Sequence, residues 1–559
     1  MKKFLLICLL AAVTLAQADD SKMSPDLRNY KAAKARVVIQ YTGAPGQLDL
    51  SAITKLLGSI VSQLPLVNAI VADLPLSNIL QLSNQANVRY ISLDRPLAPT
   101  LSNAAPAVNA ISSWASGYTG AGIGVALIDS GVSSHPDLMG GLLGLSRVVY
   151  SQSFVPGTIS ASDQYGHGTH IAGLIAGNGA SSTGSKYSRT FKGIAPDARL
   201  INLRVLDQNG AGTDSAVVAA ISQAIALKNL FNIRVINLSL GRPVYESYTL
   251  DPVCQAAEAA WKSGIVVVVA AGNNGRYQAT DGYATITAPG NDPYVITVGA
   301  MKPMGTPTRS DDLIASYSSK GPTVIDHVVK PDVVAPGNLL VSLEAPGSTL
   351  YAEYPGNRVP YSYYMVGGSN ASSSSYFTLS GTSMAAGVVS GAVADLLQAS
   401  PKLTPDQVKA RLMKTAWKLF PTVSSVTDPD TGITYTDQYD VFTVGAGYVD
   451  LEAAIINNYV ATGSAMSPTV RYDPKSQDVF MVFDSSAVWG NSAMWGSSAV
   501  WGSSQFVSSN SAMWGSSAMW GSNADSGFGT VWTDSAMWGS SAMWGSSAMW
   551  GSSASGGEK

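Results

Sequence analysis

Ser383 is the residue whose surroundings point most directly to chemistry. It lies in the segment Ser380–Gly387 (SGTSMAAG), and the residues after it as far as Leu397 are apolar on nearly every side, which predicts a helix buried in a larger core. The first amides of such a helix and its dipole favour negative charge nearby. A serine in this place becomes a nucleophile only when a base accepts its proton. We therefore expect a histidine partner.

His167 has the most suggestive surroundings of the four histidines in the chain. It lies in Gly166–His170 (GHGTH), where glycines allow close backbone approach and an apolar run continues as a buried helix. Earlier in the chain, Gly122–Gly131 (GIGVALIDSG) is typical of a buried strand that ends at the carboxylate of Asp129. Such a trio can attack a carbonyl carbon, because the carboxylate holds the imidazole, which accepts the proton of the serine.

The elements that would bring these three residues together begin near Ser113. Continuous apolar strands alternate with helices, which is typical of a parallel sheet covered on both faces. Ligand chemistry in such a sheet belongs at the carboxyl ends of the strands, where Asp129 and Asn273 both fall. The predicted segments are strand 200–206, helix 214–230, strand 234–239, helix 252–262, strand 265–271 and, after a capping box that begins at Thr404, helix 405–417.

Six motifs in this stretch resemble, in the same order, those of the subtilisin-like (subtilase) serine peptidases. They are residues 126–132 (ALIDSGV), 135–138 (HPDL), 167–173 (HGTHIAG), 235–241 (VINLSLG), 270–275 (AAGNNG) and 381–385 (GTSMA). The order Asp129, His167, Ser383 is also the subtilisin order of the catalytic triad. The resemblance implies an α/β, three-layer subtilisin-like fold with a mostly parallel central sheet. It also implies a serine endopeptidase that acts on protein or peptide substrates through these three residues.

An oxyanion hole is a second implication of the resemblance. Asn273 matches the residue whose side chain donates to the oxyanion, together with the amide of Ser383. Neighbouring Asn274 is an alternative donor, and an Asn-Gly pair also commonly just forms a turn. The chain departs from the family at Gly387 and Val388, where subtilases usually have Pro-His, so the first turn of the helix loses a rigid residue.

The walls of a substrate groove are a third implication, since an extended peptide can add to them as a strand. The matching residues have neutral side chains, so we expect an apolar residue before the cleaved bond. They are Ser239, Leu240, Gly241, Ala271 and Gly272.

His170 and Asp137 are the candidates for metal binding. His170 follows His167 at a spacing that can share a helix face, but no third ligand is apparent and the triad already accounts for His167. Asp137 resembles a calcium ligand of some subtilases, although the loop 178–189, which should supply carbonyl ligands, does not match clearly. We therefore predict no required cofactor and leave calcium at Asp137 open.

Composition and the N-terminal residues indicate the class of protein. The chain has 559 residues, 46 % of them hydrophobic, which is enough for more than one domain, and its net charge of -3 gives no basic surface for nucleic acid.

Residues 1–18 predict a signal peptide and a secreted, extracellular or cell-surface protein. The alternative, a membrane anchor, is disfavoured because the apolar run is short, and no later run is long enough to cross a membrane. Removal of the signal would leave Cys254 as the only cysteine, which predicts a buried thiol and no internal disulfide.

Residues 19–103 are predicted to form a small α+β domain followed by a linker. The expected order is strand 36–41, helix 50–64, strand 69–74, helix 76–85 and strand 88–93. Its place and pattern resemble an inhibitory propeptide, so we expect a self-processed precursor whose own propeptide is an inhibitor. An ordinary N-terminal domain that stays attached is the alternative.

Residues 104–460 are predicted to be the peptidase domain, and residues 461–559 to be a hairpin and a low-complexity tail. The tail repeats Ser-Ala-Met-Trp-Gly-Ser and holds nine of the twelve tryptophans. Glycine and serine favour disorder, whereas the tryptophans suit contact with surfaces or self-association. The alternative for the tail is a low-complexity extension with no function of its own. A catalytically silent surface-binding or assembly protein that uses this tail is the alternative function for the whole chain.

Overall fold

The computed structural model describes residues 20–28, 32–65, 68–93, 104–140, 144–428, 431–473, 478–482, 506–507 and 558. The chain divides into two compact units, Met1–Ala98 and Pro99–Lys559. The signal peptide predicted at 1–18, the linker as far as residue 103 and nearly all of the tryptophan repeats lie outside the described residues.

The first unit is a four-stranded antiparallel sheet with its own apolar core. The strands lie in the order β2-β3-β1-β4, and Val37, Ile39, Ile70 and Ile91 are buried in that core. Its elements are α1 Pro25–Arg28, β1 Lys34–Tyr41, α2 Gln47–Lys55, β2 Ser59–Leu64, β3 Ala69–Pro75, α3 Leu76–Ser83 and β4 Val88–Leu93.

The helix predicted over 50–64 was wrong in its second half. Helix α2 ends at Lys55, and Ser59–Leu64 is an edge strand that pairs with β3. The break follows from Leu57, which has a φ of 58°, and from Gly58, where an added Cβ would lie 2.7 Å from Ile53 Cγ2. The apolar residues after Gly58 fit a helix and a strand equally well by spacing, so spacing alone could not decide.

The second unit is built on an eight-stranded sheet in which β8, β9, β5, β10, β11, β12 and β14 run parallel and β13 alone is antiparallel. Every residue of β5, β11 and β12 is buried, so both faces of the sheet are covered. The strands are β5 Gly124–Asp129, β6 Met139–Gly140, β7 Leu145–Ser146, β8 Val148–Ser153, β9 Arg199–Arg204, β10 Ile233–Leu238, β11 Val266–Ala270, β12 Ile296–Lys302, β13 Leu313–Ile314, β14 Val333–Pro336, β15 Leu340–Leu343, β16 Arg358–Pro360, β17 Ser372–Leu379, β18 Val423–Thr427, β19 Thr434–Gln438, β20 Thr469–Asp473, β21 Asp478–Val482 and β22 Phe506–Val507.

Helix α11 is the centre of this unit, because it packs on β10, β11, β12 and helix α6 and is buried along most of its length. The predicted helices at 214, 252 and 405 are present, the last with its capping box between Thr404 and Gln407. The helices are α4 Ala104–Ala107, α5 Ala110–Ala115, α6 His167–Ala176, α7 Asp214–Phe231, α8 Pro252–Lys262, α9 Thr349–Glu353, α10 Tyr361–Tyr364, α11 Thr382–Ala399, α12 Pro405–Thr415, α13 Val441–Val444 and α14 Leu451–Ile456.

Packing continues past residue 460. Ser467 Oγ donates to Asp332 at 2.5 Å and accepts from Lys409 Nζ at 2.8 Å, and Val470 at the start of the hairpin is buried in the same core. The hairpin β20–β21, predicted from sequence, is confirmed. Cys254 is free and fully buried, as its place on α8 predicted.

Candidate active site

Asp129 and His167 form a buried hydrogen-bonded pair. Asp129 is the last residue of β5, and His167 is the first residue of α6. His167 Nδ1 lies 2.8 Å and 3.0 Å from the two carboxylate oxygens of Asp129. Because Nδ1 holds its proton toward the carboxylate, Nε2 is left as the acceptor nitrogen of the neutral ring.

Asp163 fixes this pair in place. Its carboxylate accepts hydrogen bonds from the amides of Gly166 (2.7 Å) and Thr169 (2.8 Å), which caps the start of α6. It also accepts from Ser130 Oγ (2.9 Å), next to Asp129. Sequence reasoning missed this residue, because a capping aspartate ordinarily stands directly before the helix, whereas Asp163 lies four residues before His167 and Gly166 takes the N-cap position.

Ser383 lies opposite His167 because α6 and α11 run in parallel register. An added Cβ at Gly387, four residues after Ser383, would lie 3.3 Å from Ile171, which is four residues after His167. One turn further on, Gly391 makes the same approach to the carbonyl of Ile175, again at 3.3 Å. Because the contacting residues keep the same offset along the chain at two successive turns, the first turns of α6 and α11 are aligned as well.

Gly387 is thus one of two positions at which the helices approach closely, and it is also where the chain departs from the family pattern. The Ser383 hydroxyl donates to the carbonyl of Ser239 at 3.2 Å, and Ser239 Oγ donates back to the carbonyl of Ser383 at 2.8 Å. No hydrogen bond joins Ser383 to His167 within the described part of the chain. Catalytic contacts of this kind commonly tighten only when substrate binds.

Asn273 lines the same cavity as Ser383, and its amide is oriented by Thr382. Its Oδ1 accepts from the Thr382 amide (2.9 Å) and from Thr382 Oγ1 (3.1 Å), and a backbone N–H can only donate, which fixes the oxygen on that side. The NH₂ group of Asn273 therefore points away from Thr382. The amide of Ser383, in the first turn of α11, has no acceptor among the described residues.

A neutral cavity surrounds these groups. Ser239, Leu240, Gly241 and Gly272 of the predicted groove line it, whereas Ala271 is fully buried beside it. An added Cβ at Gly241 would lie 2.5 Å from Thr287 Oγ1, so the cavity requires glycine there. The full lining is Ser239, Leu240, Gly241, Ala270, Gly272, Asn273, Asn274, Thr287, Thr382 and Ser383.

Comparison with known proteins gives the family. The family model "Subtilase family" matches residues 120–447. The chain belongs to the subtilase family. Serine protease AprX of Bacillus subtilis (strain 168) is 38 % identical over 339 residues, which cover 59 % of this chain and 70 % of that protein. Subtilisin DY of Bacillus licheniformis is 33 % identical over 358 residues, 64 % of this chain and 99 % of that protein.

The chain is therefore a subtilisin-like serine endopeptidase, and these matches do not favour a silent binding protein. The family requires no cofactor for catalysis. No helix in the described segments combines the length and the apolar character needed to cross a membrane.

We expect the activity of this subtilase to rise with pH through a midpoint above 6.5. Burial, the largest single influence, lowers the pKa of His167, but the charge and hydrogen bond of Asp129 and the charge of Asp163 together raise it above its ordinary value of 6.5. Only the neutral ring can accept the proton of Ser383, so protonation at low pH removes the base. Measuring kcat/KM from pH 5 to 9 on a peptide ester and a peptide amide checks this, and a flat profile on both would contradict His167 as the base.

His170 has a structural environment. It is fully buried, and its Nε2 lies 3.1 Å from the carbonyl oxygens of both Leu340 and Phe377, so that N–H donates to the backbone. Burial lowers the pKa of His170 to about 3. In the described ranges no group of three or more His, Cys, Asp or Glu residues could hold a metal ion.

Asp137 does not fit a calcium site. Its two carboxylate oxygens accept hydrogen bonds from the Ser181 amide (2.7 Å) and the Tyr376 hydroxyl (2.6 Å). Its carbonyl accepts from the Asn178 amide (2.9 Å) and from Arg147 Nη2 (2.6 Å). Calcium binds through oxygen atoms that face the ion. In this protein, hydrogen-bond donors already point at each of these oxygens of Asp137.

We expect EDTA to shift the Tm of this subtilase and of its Asp137→Asn variant by the same amount, within about 1 °C, since an ion that does not bind at Asp137 cannot stabilise through it. Tyr376→Phe should instead cost about 1–3 kcal/mol, because it leaves a buried carboxylate oxygen of Asp137 without a donor. The matched control is Tyr363→Phe, whose ring is 41 % exposed. Thermal unfolding of these proteins in a Ser383→Ala background measures the changes, and a calcium-dependent rise in Tm that disappears in Asp137→Asn would contradict the absence of a site at Asp137.

Proposed function

We propose that this endopeptidase cleaves peptide bonds through a triad of Ser383, His167 and Asp129. The observation that carries the proposal is the buried Asp129–His167 hydrogen bond at the start of α6, a helix that packs closely against α11, where Ser383 lies in the first turn. Ser383 Oγ attacks the carbonyl carbon while His167 Nε2 accepts its proton. His167 then protonates the leaving amine, and Asp129 stabilises the imidazolium throughout.

The charge that develops on the carbonyl oxygen needs donors already in place. We assign this role to the NH₂ group of Asn273 and the amide of Ser383, which flank the same cavity. Asn274 lines the cavity as well, but the two hydrogen bonds that Thr382 gives to Asn273 Oδ1 support Asn273 as the oriented donor. Water attacks the acyl group in the second half of the reaction, with the same residues in the same roles.

Substrates are proposed to carry apolar residues before the cleaved bond. Among the described residues, none that lines the cavity beside Ser383 is charged, and a second cavity shares Leu240 and Gly241 with it. The wall of the second cavity is mostly apolar, and its two charged residues, Asp214 and Arg242, form an ion pair with each other. Burying a charged side chain in either cavity without a partner would cost several kcal/mol. An extended substrate could therefore place two apolar side chains along this edge.

We also propose that the protein is secreted as an inactive precursor. Residues 1–18 act as signal peptide in this proposal, and the antiparallel unit within 19–103 acts as a self-removed inhibitor. The separate core of that unit supports independent folding, as an inhibitory domain requires.

The proposal is tested by incubating the mature protein with a peptide library and identifying the cleaved bonds by mass spectrometry. We expect internal bonds to be cut, with at least about tenfold higher kcat/KM after leucine or phenylalanine than after glutamate or lysine. Cleavage only after charged residues would overturn the substrate assignment. No cleavage by folded, processed protein would overturn the activity.

Truncation after Val482 should leave hydrolysis of small peptides within about twofold of the full chain, since the hairpin and its contacts remain. Truncation after Ala461 should instead lower stability by about 1–3 kcal/mol, because Asp332 and Lys409 lose Ser467. Measuring kcat/KM and thermal unfolding on both truncations checks this. Loss of small-peptide activity in the folded 482 truncation would mean that the tail belongs to the catalytic unit, contrary to our proposal that it acts in surface contact or self-association.

A further inference from the structure

Glu558 is a charged residue that is only 6 % exposed, although residues 508–557 before it all lie outside the described residues. Its surroundings come from three separate parts of the second unit. Arg276 follows the Asn273 loop, Ser316 follows β13, and Asn338 follows β14. None of these residues belongs to the triad or lines the substrate cavities.

Three donors converge on one carboxylate oxygen of Glu558, whereas the other oxygen, Oε2, is buried without a hydrogen-bond partner among the described residues. Its Oε1 accepts from Arg276 Nη2 (3.0 Å), from the Ser316 amide (2.8 Å) and from Ser316 Oγ. Arg276 is itself held by Asp428 (2.8 Å to Nη1) and by Ser316 Oγ (2.8 Å to Nε). Fixed donors of this kind bind a carboxylate with charge-assisted hydrogen bonds and lose little entropy in doing so.

The backbone of Glu558 is recognised separately, by Asn338. The Glu558 N–H donates to Asn338 Oδ1 at 3.0 Å, and Asn338 Nδ2 donates to the Glu558 carbonyl at 2.8 Å. This pair satisfies both backbone groups of one residue, as a neighbouring strand would. Asn338 is 3 % exposed, so its amide is a built part of the pocket and not a mobile surface group.

We propose that Arg276, Ser316 and Asn338 form a docking site for an acidic residue in a peptide segment, and that Glu558 of the same chain is its occupant. Strand β22 pairs with β21 on the hairpin that packs against the peptidase core, and Glu558 docks in this pocket. Val507 and Glu558, which flank the segment 508–557 with its six tryptophans, are thus both attached to the second unit.

Hydrogen exchange of the full chain tests this site without using catalysis, so its outcome is independent of the proposed function. In a Ser383→Ala background that keeps the chain intact, Glu558→Ala should speed exchange of the Ser316 amide at least about tenfold, since that amide loses its acceptor. Glu353→Gln, which changes an exposed glutamate elsewhere, should leave it unchanged. Asn338→Ala should speed exchange of the Glu558 amide by a similar factor.

Addition of a synthetic peptide with the sequence of residues 554–559 decides whether the site recognises this segment. We expect it to restore slow exchange at Ser316 in the Glu558→Ala protein, and the same peptide with glutamine for glutamate to do so only at a concentration at least about tenfold higher, since it lacks the charge. Unchanged exchange in Glu558→Ala would overturn the docking. Equal action of both peptides would overturn the carboxylate recognition by Arg276.

Discussion

Ser383→Ala should abolish peptide hydrolysis, with a loss in kcat of about 10⁶-fold, a magnitude known from a subtilisin, and should leave substrate binding in place. The size of the effect follows from the removal of the attacking atom, after which His167 and Asp129 have no nucleophile to activate. If the chain processes itself, the same variant should keep residues 19–103. Steady-state kinetics and the intact mass of the purified variant measure both outcomes.

Ser185→Ala is the matched control for this change, because Ser185 is an exposed serine in a turn of the same unit and lines neither cavity. It should retain full activity. A Ser383→Ala protein that still hydrolyses peptides would exclude Ser383 as the nucleophile. One that is inactive but still loses its N-terminal unit when expressed alone would assign maturation to another protease.

Asp129→Asn should lower kcat by about 10⁴-fold while the fold is preserved. The carboxylate accepts the Nδ1 proton at 2.8 Å, and an amide in its place can donate to that nitrogen, so the imidazole carries its proton on Nε2 and cannot accept from Ser383. The pKa of His167 should fall as well, since the charge that raises it has gone. The pH midpoint of the residual activity should therefore be lower than that of the unchanged enzyme.

Asp311→Asn serves as the control for loss of one negative charge, since Asp311 lies in an exposed loop of the same unit. It should change neither kcat nor the pH profile. A loss in Asp129→Asn of less than tenfold, or an unmoved pH midpoint, would mean that Asp129 does not govern the tautomer of His167.

The parts of the site that were predictable from sequence are those whose signals are local. Ser383 stands at the start of an apolar helix, Asp129 at the end of an apolar strand, and each lies in a motif that limits its backbone conformation. The carboxyl ends of parallel strands lie at one edge of the sheet. Once the alternation of strands and helices is recognised, residues at these ends are therefore expected to lie close together. The bounds of α8 were predicted to the residue because Pro252 and the Asp251 cap mark its start.

What the sequence did not reveal depends on contacts between distant residues. Tyr376 reaches Asp137 across 239 positions, so its hydrogen bond to that carboxylate has no local signature. Glu558 meets Asn338 across 220 positions, directly after a stretch, residues 535–557, that carries no charged side chain. The edge strand β2 was missed for a different reason, namely that its apolar spacing fits two periods and only the geometry at Leu57 and Gly58 decides between them.

The most direct test of the central claim is the site of modification by a serine-directed fluorophosphonate. We expect one adduct per folded, processed molecule, located by tandem mass spectrometry on Ser383, and we expect its rate of formation to fall by several orders of magnitude in His167→Ala. Modification of another residue, or none on protein shown to be folded, would contradict the assignment of Ser383 as a nucleophile activated by His167.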